Sequence, residues 1–123
     1  MTISGELKFA DTKSKNFKNY LFEFSQAKLC CYKDKMCAAK LHEWRIEDIV
    51  WYIGHESKRN PQMGWAITFI MKNEKPNRCK ETPFFGYTFA GALKGEEYRW
   101  LAAMLFGEYQ LNLRPSAVNL MDP

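Results

Sequence analysis

Five lysines occur in two short polar segments near the start of the chain. Lys13, Lys15 and Lys18 are in the first segment, and Lys33 and Lys35 are in the second. Residues 1–40 contain eight lysines and four acidic residues, whereas the rest of the chain has ten basic and ten acidic residues, so the excess positive charge lies in the first third. A local basic surface indicates an acidic partner, such as a membrane surface or a nucleic acid. The alternative interpretation is a charged surface that only keeps the protein soluble, because such a surface would have the same lysines.

The four cysteines, by contrast, do not indicate a metal site. Cys30, Cys31, Cys37 and Cys79 lack the paired C-x-x-C spacing of zinc ligands. Cys30 and Cys31 are neighbours on a predicted strand, so their side chains point to opposite faces and cannot readily share a metal. We expect free thiols in a reducing compartment rather than disulfides.

No combination of side chains in the sequence predicts catalysis. Cys37 and His42 could be imagined as a thiol–imidazole pair, but nothing supplies the orienting third group or the oxyanion donors that nucleophilic catalysis requires. Glu47 and Asp48 would lie on opposite faces of a strand, which argues against paired acid–base carboxylates. His42 and His55 are expected to be solvated. We therefore predict no enzyme activity, no cofactor and no metal.

The length and composition fit one globular domain. The chain has 123 residues, of which 46% are hydrophobic and 26% charged, enough to bury a core. We predict a single domain over residues 1–123, with a core at about 4–113 and a short C-terminal tail. No apolar run approaches the roughly 20 residues that cross a bilayer, and the start lacks the apolar segment of a secretory signal. The sequence thus predicts a soluble, intracellular protein.

Most of the chain has the pattern of β-strands. Aromatic residues make up 15% of the sequence, and they pack well on a pleated sheet. The segment 44–53 could be helix or strand by periodicity, but its β-branched and aromatic content favours strand. Polar loops separate the segments. Six predicted strands result, at residues 5–10, 17–24, 27–32, 44–53, 64–71 and 84–89.

A helix is predicted at the end of the chain, from Glu96 to Tyr109. Trp100 and Met104 recur at helical spacing and are expected to pack in the core, and Pro115 prevents easy continuation. Six or seven strands followed by one helix predict a mainly β fold, an antiparallel, partly open barrel whose open end the helix covers.

The sequence resembles the pleckstrin-homology (PH) superfamily along nearly its whole length. Gly5-Glu6-Leu7 is similar to the G-x-L of the first strand, and residues 17–24 are similar to the second strand. Leu29 to Asp34 resembles the third strand, which usually ends in Tyr-Lys, and Trp100 matches the signature tryptophan of the helix.

A narrower resemblance is to the PH domains that follow a Ras-association domain. Residues 44–49, Tyr52-Ile53-Gly54 and Pro61 before Gly64-Trp65 are similar to ARAP-type Arf-GAP/Rho-GAP proteins. The lamellipodin/RIAM and growth-factor-receptor-bound adaptor groups have a related pattern. The resemblance implies a cytoplasmic regulatory module of a small-GTPase signalling protein, without GTPase-activating function in this segment.

The PH resemblance also implies a candidate phosphoinositide site. Lys18 matches the first basic position of the second-strand motif, but Tyr20 occupies the arginine position and Phe9 the lysine position of strand 1. Because two of the three anchors are missing, strong headgroup selectivity is not expected. The remaining candidate lipid- or phosphate-binding residues are Lys13, Lys15, Lys18, Tyr32, Lys33 and Lys35.

Two functions remain open at this point. Four or five lysines at about 1 kcal/mol each would give weak, salt-sensitive attachment to anionic membranes, at about millimolar affinity. The alternative is a protein–protein interaction module without significant lipid binding, using a sheet edge or an exposed aromatic surface. With only five arginines and no stacking platform, nucleic-acid binding is not expected. The oligomeric state stays open.

Overall fold

The computed structural model describes residues 2–36, 39–74 and 82–114 of the 123 residues. Every strand pairs antiparallel with its neighbour in one seven-stranded sheet of order β4-β3-β2-β1-β7-β6-β5. The helix α1 (Lys94–Gln110) follows the last strand. The predicted fold class is therefore confirmed. The strands are β1 (Ile3–Ala10), β2 (Lys18–Ser25), β3 (Lys28–Tyr32), β4 (Lys40–Arg45), β5 (Ile49–Ile53), β6 (Trp65–Met71) and β7 (Tyr87–Gly91).

The sheet is strongly curved and stays open between β4 and β5. These strands are consecutive in the chain but occupy opposite edges of the sheet. The ring of Trp44 on β4 nevertheless lies 4.8 Å from the ring of Phe69 on β6 and 5.5 Å from that of Tyr87 on β7, measured between centroids. Aromatic side chains from both ends of the sheet thus meet in one core, as expected for a partly open barrel.

The predicted strand at 44–53 was wrong in one respect, because two strands and a turn occupy this region. A single turn of 3-10 helix (Ile46–Asp48) separates β4 from β5, and Glu47 and Asp48 lie in this turn rather than on two faces of a strand. Ile46 is fully buried, and its N–H donates to the carbonyl of Ala27 at 2.8 Å. This bond extends the β3–β4 pairing by one residue, and the 3-10 turn then directs the chain away from β3 towards the other edge of the sheet.

The ends of two other elements also differ from the prediction. β4 begins at Lys40, inside the predicted loop 33–40, because its first residues pair with β3. β7 begins at Tyr87 rather than residue 84, because the backbone before it bonds to side chains of another loop instead of to a neighbouring strand. The helix is two residues longer at its start and one residue longer at its end than predicted.

The helix packs its inner face on the core. Trp100 is 1% exposed and Met104 is fully buried, and the ring of Trp100 lies 5.9 Å from that of Phe89 on β7. Trp51 on β5 is also fully buried, and its Nε1–H donates to the buried Glu108 carboxylate of the helix at 3.1 Å. These contacts fix the helix against the open end of the sheet.

Two glycines of α1 give a matched test of this packing. A Cβ at Gly107 would lie 2.8 Å from Cζ of the buried Phe24, whereas a Cβ at Gly95 would meet no atom within 4 Å. We expect Gly107→Ala to destabilise the fold by about 1–3 kcal/mol through overpacking. Gly95→Ala should stabilise it by about 0.5–1 kcal/mol because alanine loses less backbone entropy. Urea unfolding of both variants checks the pair, and equal effects would contradict the packing described here.

Candidate anion-binding site

The loop between β1 and β2, residues 11–17, is a compact turn that presents its lysines to solvent. The Asp11 carboxylate accepts the N–H of Lys13 at 2.8 Å, and the Asp11 carbonyl accepts the N–H of Ser14 at 3.4 Å. The Ser14 hydroxyl donates to the carbonyl of Asn16 at 3.0 Å. Lys13 and Lys15 are exposed. Local hydrogen bonds therefore fix the backbone, while the lysine side chains stay available for a ligand.

Arg59, from the loop between β5 and β6, donates hydrogen bonds to the backbone of this turn. The side chain is 1% exposed, and its Nη1 donates to the carbonyl oxygens of Asp11 and Ser14, the latter at 3.2 Å. Its Nη2 donates to the carbonyl of Gly86 and, at 3.1 Å, to the hydroxyl of Thr88. One buried guanidinium thus joins the β1–β2 loop to the segment at the start of β7.

Glu56 and Phe84 compensate for the burial of this charge. The Glu56 carboxylate lies 3.5 Å from Nη2 of Arg59 and accepts the N–H groups of Phe85 and Gly86, each at 3.1 Å. The guanidinium also lies over the ring of Phe84, 4.3 Å from its centroid. Burial lowers the pKa of Arg59 and the nearby Glu56 raises it, but an arginine side chain stays charged in a protein.

Two cavities flank the β1–β2 loop. The cup cavity, of about 100 Å³, opens on the concave face of the sheet, and the side cavity, of about 300 Å³, lies between the β1–β2 and β5–β6 loops. The cup cavity is lined by Phe9, Ala10, Asp11, Ser14, Asn16, Lys18, Tyr20 and His42. The side cavity is lined by Lys8, Lys15, Asn16, Phe17, Arg59, Asn60, Pro61 and Gln62.

The lysines are divided between these cavities. Lys18 lies opposite Phe9 in the β1–β2 register and lines the cup cavity, whereas Lys15 and Lys8 line the side cavity. Lys13 is exposed near the tip of the loop between them. The structure therefore gathers Lys13, Lys15 and Lys18 around one loop and adds Lys8, which lies on the face of β1 opposite to Phe9 and Lys18.

Tyr32 and Lys35 lie elsewhere. Tyr32 pairs with Leu21, an odd number of residues from Lys18 on β2, so the two side chains are on opposite faces of the sheet. Its ring centre lies 6.0 Å from the Lys40 amine. The Lys35 amine lies 3.7 Å from the Glu6 carboxylate on the same outer face. Lys33 is exposed in the β3–β4 loop. The six predicted residues thus do not line one common cavity.

Arg59 is the residue of this site that the sequence did not reveal. It follows Lys58 in a polar loop and has the composition of a solvated turn. The burial of Arg59 and its hydrogen bonds could be recognised only in the folded structure, because the accepting residues are distant in the sequence.

The described residues offer no metal site, since residues 2–36, 39–74 and 82–114 contain no group of three metal-ligating side chains. Cys30 and Cys31 are free and buried, and burial raises the pKa of both thiols, that of Cys31 to about 12. Thiols that remain protonated are poor nucleophiles and ligands. Cys37 and Cys79 lie outside the described residues, so the structure describes only the His42 member of the imagined Cys37–His42 pair.

Comparison with known proteins gave matches in fold only. No protein-family model matches the chain, and no match was found among curated proteins. Three similar solved structures illustrate the match, and each of them is a PH domain. The first, from human pleckstrin homology domain-containing protein family A member 5, is 19% identical with a TM-score of 0.64, covering 94% of this chain and 80% of that one.

The second is the carboxyl-terminal PH domain of pleckstrin, at 18% identity and a TM-score of 0.61, covering 85% of this chain and 93% of that one. The third, a PH domain solved in solution, is 11% identical with a TM-score of 0.65 and covers 89% and 87%. Such low identities establish the fold and nothing finer. This chain therefore has the pleckstrin-homology fold.

Proposed function

We propose that this chain is a non-catalytic signalling module that attaches weakly to anionic, phosphoinositide-containing membranes through its β1–β2 loop. The observation that supports the proposal is the arrangement of Lys8, Lys13, Lys15 and Lys18 around a loop whose backbone Arg59 fixes. A rigid loop favours binding because less conformational entropy is lost when it meets a surface. Within residues 2–36, 39–74 and 82–114, no helix could span a bilayer.

The charges predict modest affinity. Four lysines at about 1 kcal/mol each amount to about 4 kcal/mol, which corresponds to about millimolar binding. Lys35 would add less, because Glu6 already neutralises part of its charge. Such an affinity is useful when other domains bind the same membrane. This agrees with the resemblance to PH domains of larger small-GTPase regulators, and it favours a peripheral cytoplasmic location.

Charge reversal in the loop tests this proposal. We expect Lys13→Glu/Lys15→Glu to weaken binding to phosphoinositide vesicles, measured by co-sedimentation, by at least about 30-fold, since two contributions of about 1 kcal/mol are lost and repulsion is added. Binding of the unmodified chain should also fall as salt rises. The control is Arg99→Glu/Arg114→Glu, which makes the same change in net charge at two exposed positions outside the loop. Equal capture of the unmodified chain by phosphoinositide and neutral vesicles at low salt would reject the proposal.

A second candidate function is protein binding, favoured by the outer face of α1. Tyr98, Phe106 and Tyr109 are 66%, 40% and 76% exposed, although aromatic side chains are usually more buried. Exposed aromatic residues are enriched at protein interfaces. The vesicle experiment separates the two candidates. A chain that binds only a protein through this face would be captured equally by phosphoinositide and neutral vesicles, and charge reversal in the β1–β2 loop would not change its capture.

A further inference from the structure

His42 is a second side chain in the cup cavity that can take a positive charge. It belongs to β4, whereas Lys18 belongs to β2, so the two groups reach the cavity from different strands. We propose that His42 and Lys18 together bind one phosphate monoester group, and that this binding strengthens as His42 becomes protonated. The inference rests on the proposed function and names the ligand chemistry and the pH response of the same site.

Aromatic packing holds the His42 ring in place. The imidazole stacks on Trp44, with 5.0 Å between ring centroids and an angle of 15°, and lies 6.0 Å from the centre of the Phe9 ring. Trp44 is 7% exposed and Phe9 is 4% exposed, so both belong to the rigid core.

The edge of the His42 ring is available to a ligand. His42 is exposed, and neither ring nitrogen forms a hydrogen bond with another residue in the described part of the chain. An imidazolium has two N–H donors, and the lysine amine has three. Charge-assisted hydrogen bonds from such groups to phosphate are among the strong ones.

The size of the cavity limits what it can bind. Its volume of about 100 Å³ is about three times the roughly 30 Å³ that one water takes up in the liquid. It can take one phosphate group, whereas a whole inositol phosphate would have to extend out of it, since sites for small molecules are usually at least about 300 Å³. Ser14 and Asn16 are further polar residues on its wall.

The charged and titratable groups that face His42 set the sign of the pH response. Within the cavity, Lys18 repels a positive charge on His42, Asp11 attracts it, and Tyr20 also lines the wall. Burial raises the pKa of Cys31, the register partner of His42 on β3, to about 12, so this thiol carries no charge. On β4 itself, Lys40 and Glu43 pair with each other at 2.9 Å. A bound phosphate favours the imidazolium, and by linkage the imidazolium favours the phosphate. Affinity therefore rises as the pH falls through the range in which histidine gains its proton.

The two histidines of the chain allow an internal control, because His55 lies in the β5–β6 loop and does not line the cup cavity. The experiment follows the ring signals of both histidines by NMR as the pH changes, with and without soluble inositol 1,4,5-trisphosphate. We expect the ligand to raise the pKa of His42 by about one unit and to leave His55 unchanged. An unchanged His42 titration at saturating ligand would overturn the proposal.

Vesicle binding supplies a second, independent measurement. The unmodified chain and the variants His42→Gln and His55→Gln are compared on phosphoinositide vesicles at pH 5.5 and 7.5. Phosphate monoesters lose charge near pH 6, but this affects all three proteins equally, so the comparison between proteins isolates the histidine. A pKa shift of one unit corresponds to up to about a tenfold gain in affinity at the lower pH relative to His42→Gln, and His55→Gln should keep that gain.

The two measurements separate failure of this inference from failure of the proposed function. A raised pKa of His42 with the soluble headgroup, but no vesicle binding at either pH, would refute membrane attachment and support the phosphate site. Vesicle binding with the same pH response in the unmodified chain and in His42→Gln would keep membrane attachment and overturn the phosphate site.

Discussion

Replacement of Arg59 with methionine is expected to destabilise the fold by about 3–5 kcal/mol, the range for removing one partner of a buried ion pair. The variant keeps much of the volume and apolar length of the side chain but loses the guanidinium. The partly buried Glu56 then loses the guanidinium beside it, and the acceptors on Asp11, Ser14, Gly86 and Thr88 each lose the hydrogen bond that Arg59 donates. A buried acceptor without a donor keeps its desolvation penalty, and no hydrogen bond offsets it.

Urea unfolding measures this effect, and the neighbouring residue provides the control. Lys58 is exposed, so Lys58→Met should change the free energy of unfolding by no more than about 0.5 kcal/mol. Arg59→Lys keeps the charge but has one amine instead of a planar fork, and we expect it to lie between the two. If Arg59→Met unfolds at the same urea concentration as the unmodified chain, Arg59 does not organise the loop.

The Trp100→Ala substitution should have a similarly large effect, about 3–5 kcal/mol of lost stability. The indole is 1% exposed and packs beside Phe89, within the cluster that also contains Ala103 and Met104. Its removal loses buried apolar surface and leaves a cavity that the two packed layers, sheet and helix, cannot fully close. Because the residue joins the helix to the sheet, both should unfold at lower urea concentration.

Tyr98 on the same helix is the matched control for Trp100. It is also aromatic but is 66% exposed, so Tyr98→Ala should change stability by no more than about 0.5 kcal/mol. Trp100→Phe should lose less than Trp100→Ala because the cavity is smaller. Comparable effects of Tyr98→Ala and Trp100→Ala would contradict the placement of the helix on the core.

The arrangement of strands and helix could be predicted because it depends on local patterns. Alternating apolar residues, polar loops and one helical segment gave five of the seven strands at nearly their observed positions and the helix within two residues. The division of segment 44–53 could not be predicted, because Ile46 is as apolar as a strand residue. Only the folded structure shows that pairing with β3 ends at Ile46, whose N–H bonds to Ala27, and that a 3-10 turn follows.

The candidate site was predicted less completely than the fold. The lysines of the β1–β2 loop follow from sequence position, but the face of Tyr32 depends on the tight turn at Gln26 and Ala27. Both residues have positive φ, 52° and 60°, and the register that follows this turn places Cys31 opposite Phe22 on the inner face and Tyr32 on the outer one. A shift of one residue reverses the faces of a strand, so small differences in turn geometry decide the membership of a site.

The sequence separation of the Arg59 contacts has a consequence for the order of folding. Its acceptors at Asp11 and Gly86 are 48 and 27 residues away, so the guanidinium finds all its partners only after the last strand has been synthesised and has joined the sheet. Until then the β1–β2 loop lacks the full set of hydrogen bonds through which Arg59 joins it to the rest of the fold. A partly synthesised chain therefore lacks the ordered β1–β2 loop, and the proposed binding to anionic surfaces would be limited to molecules whose folding is complete.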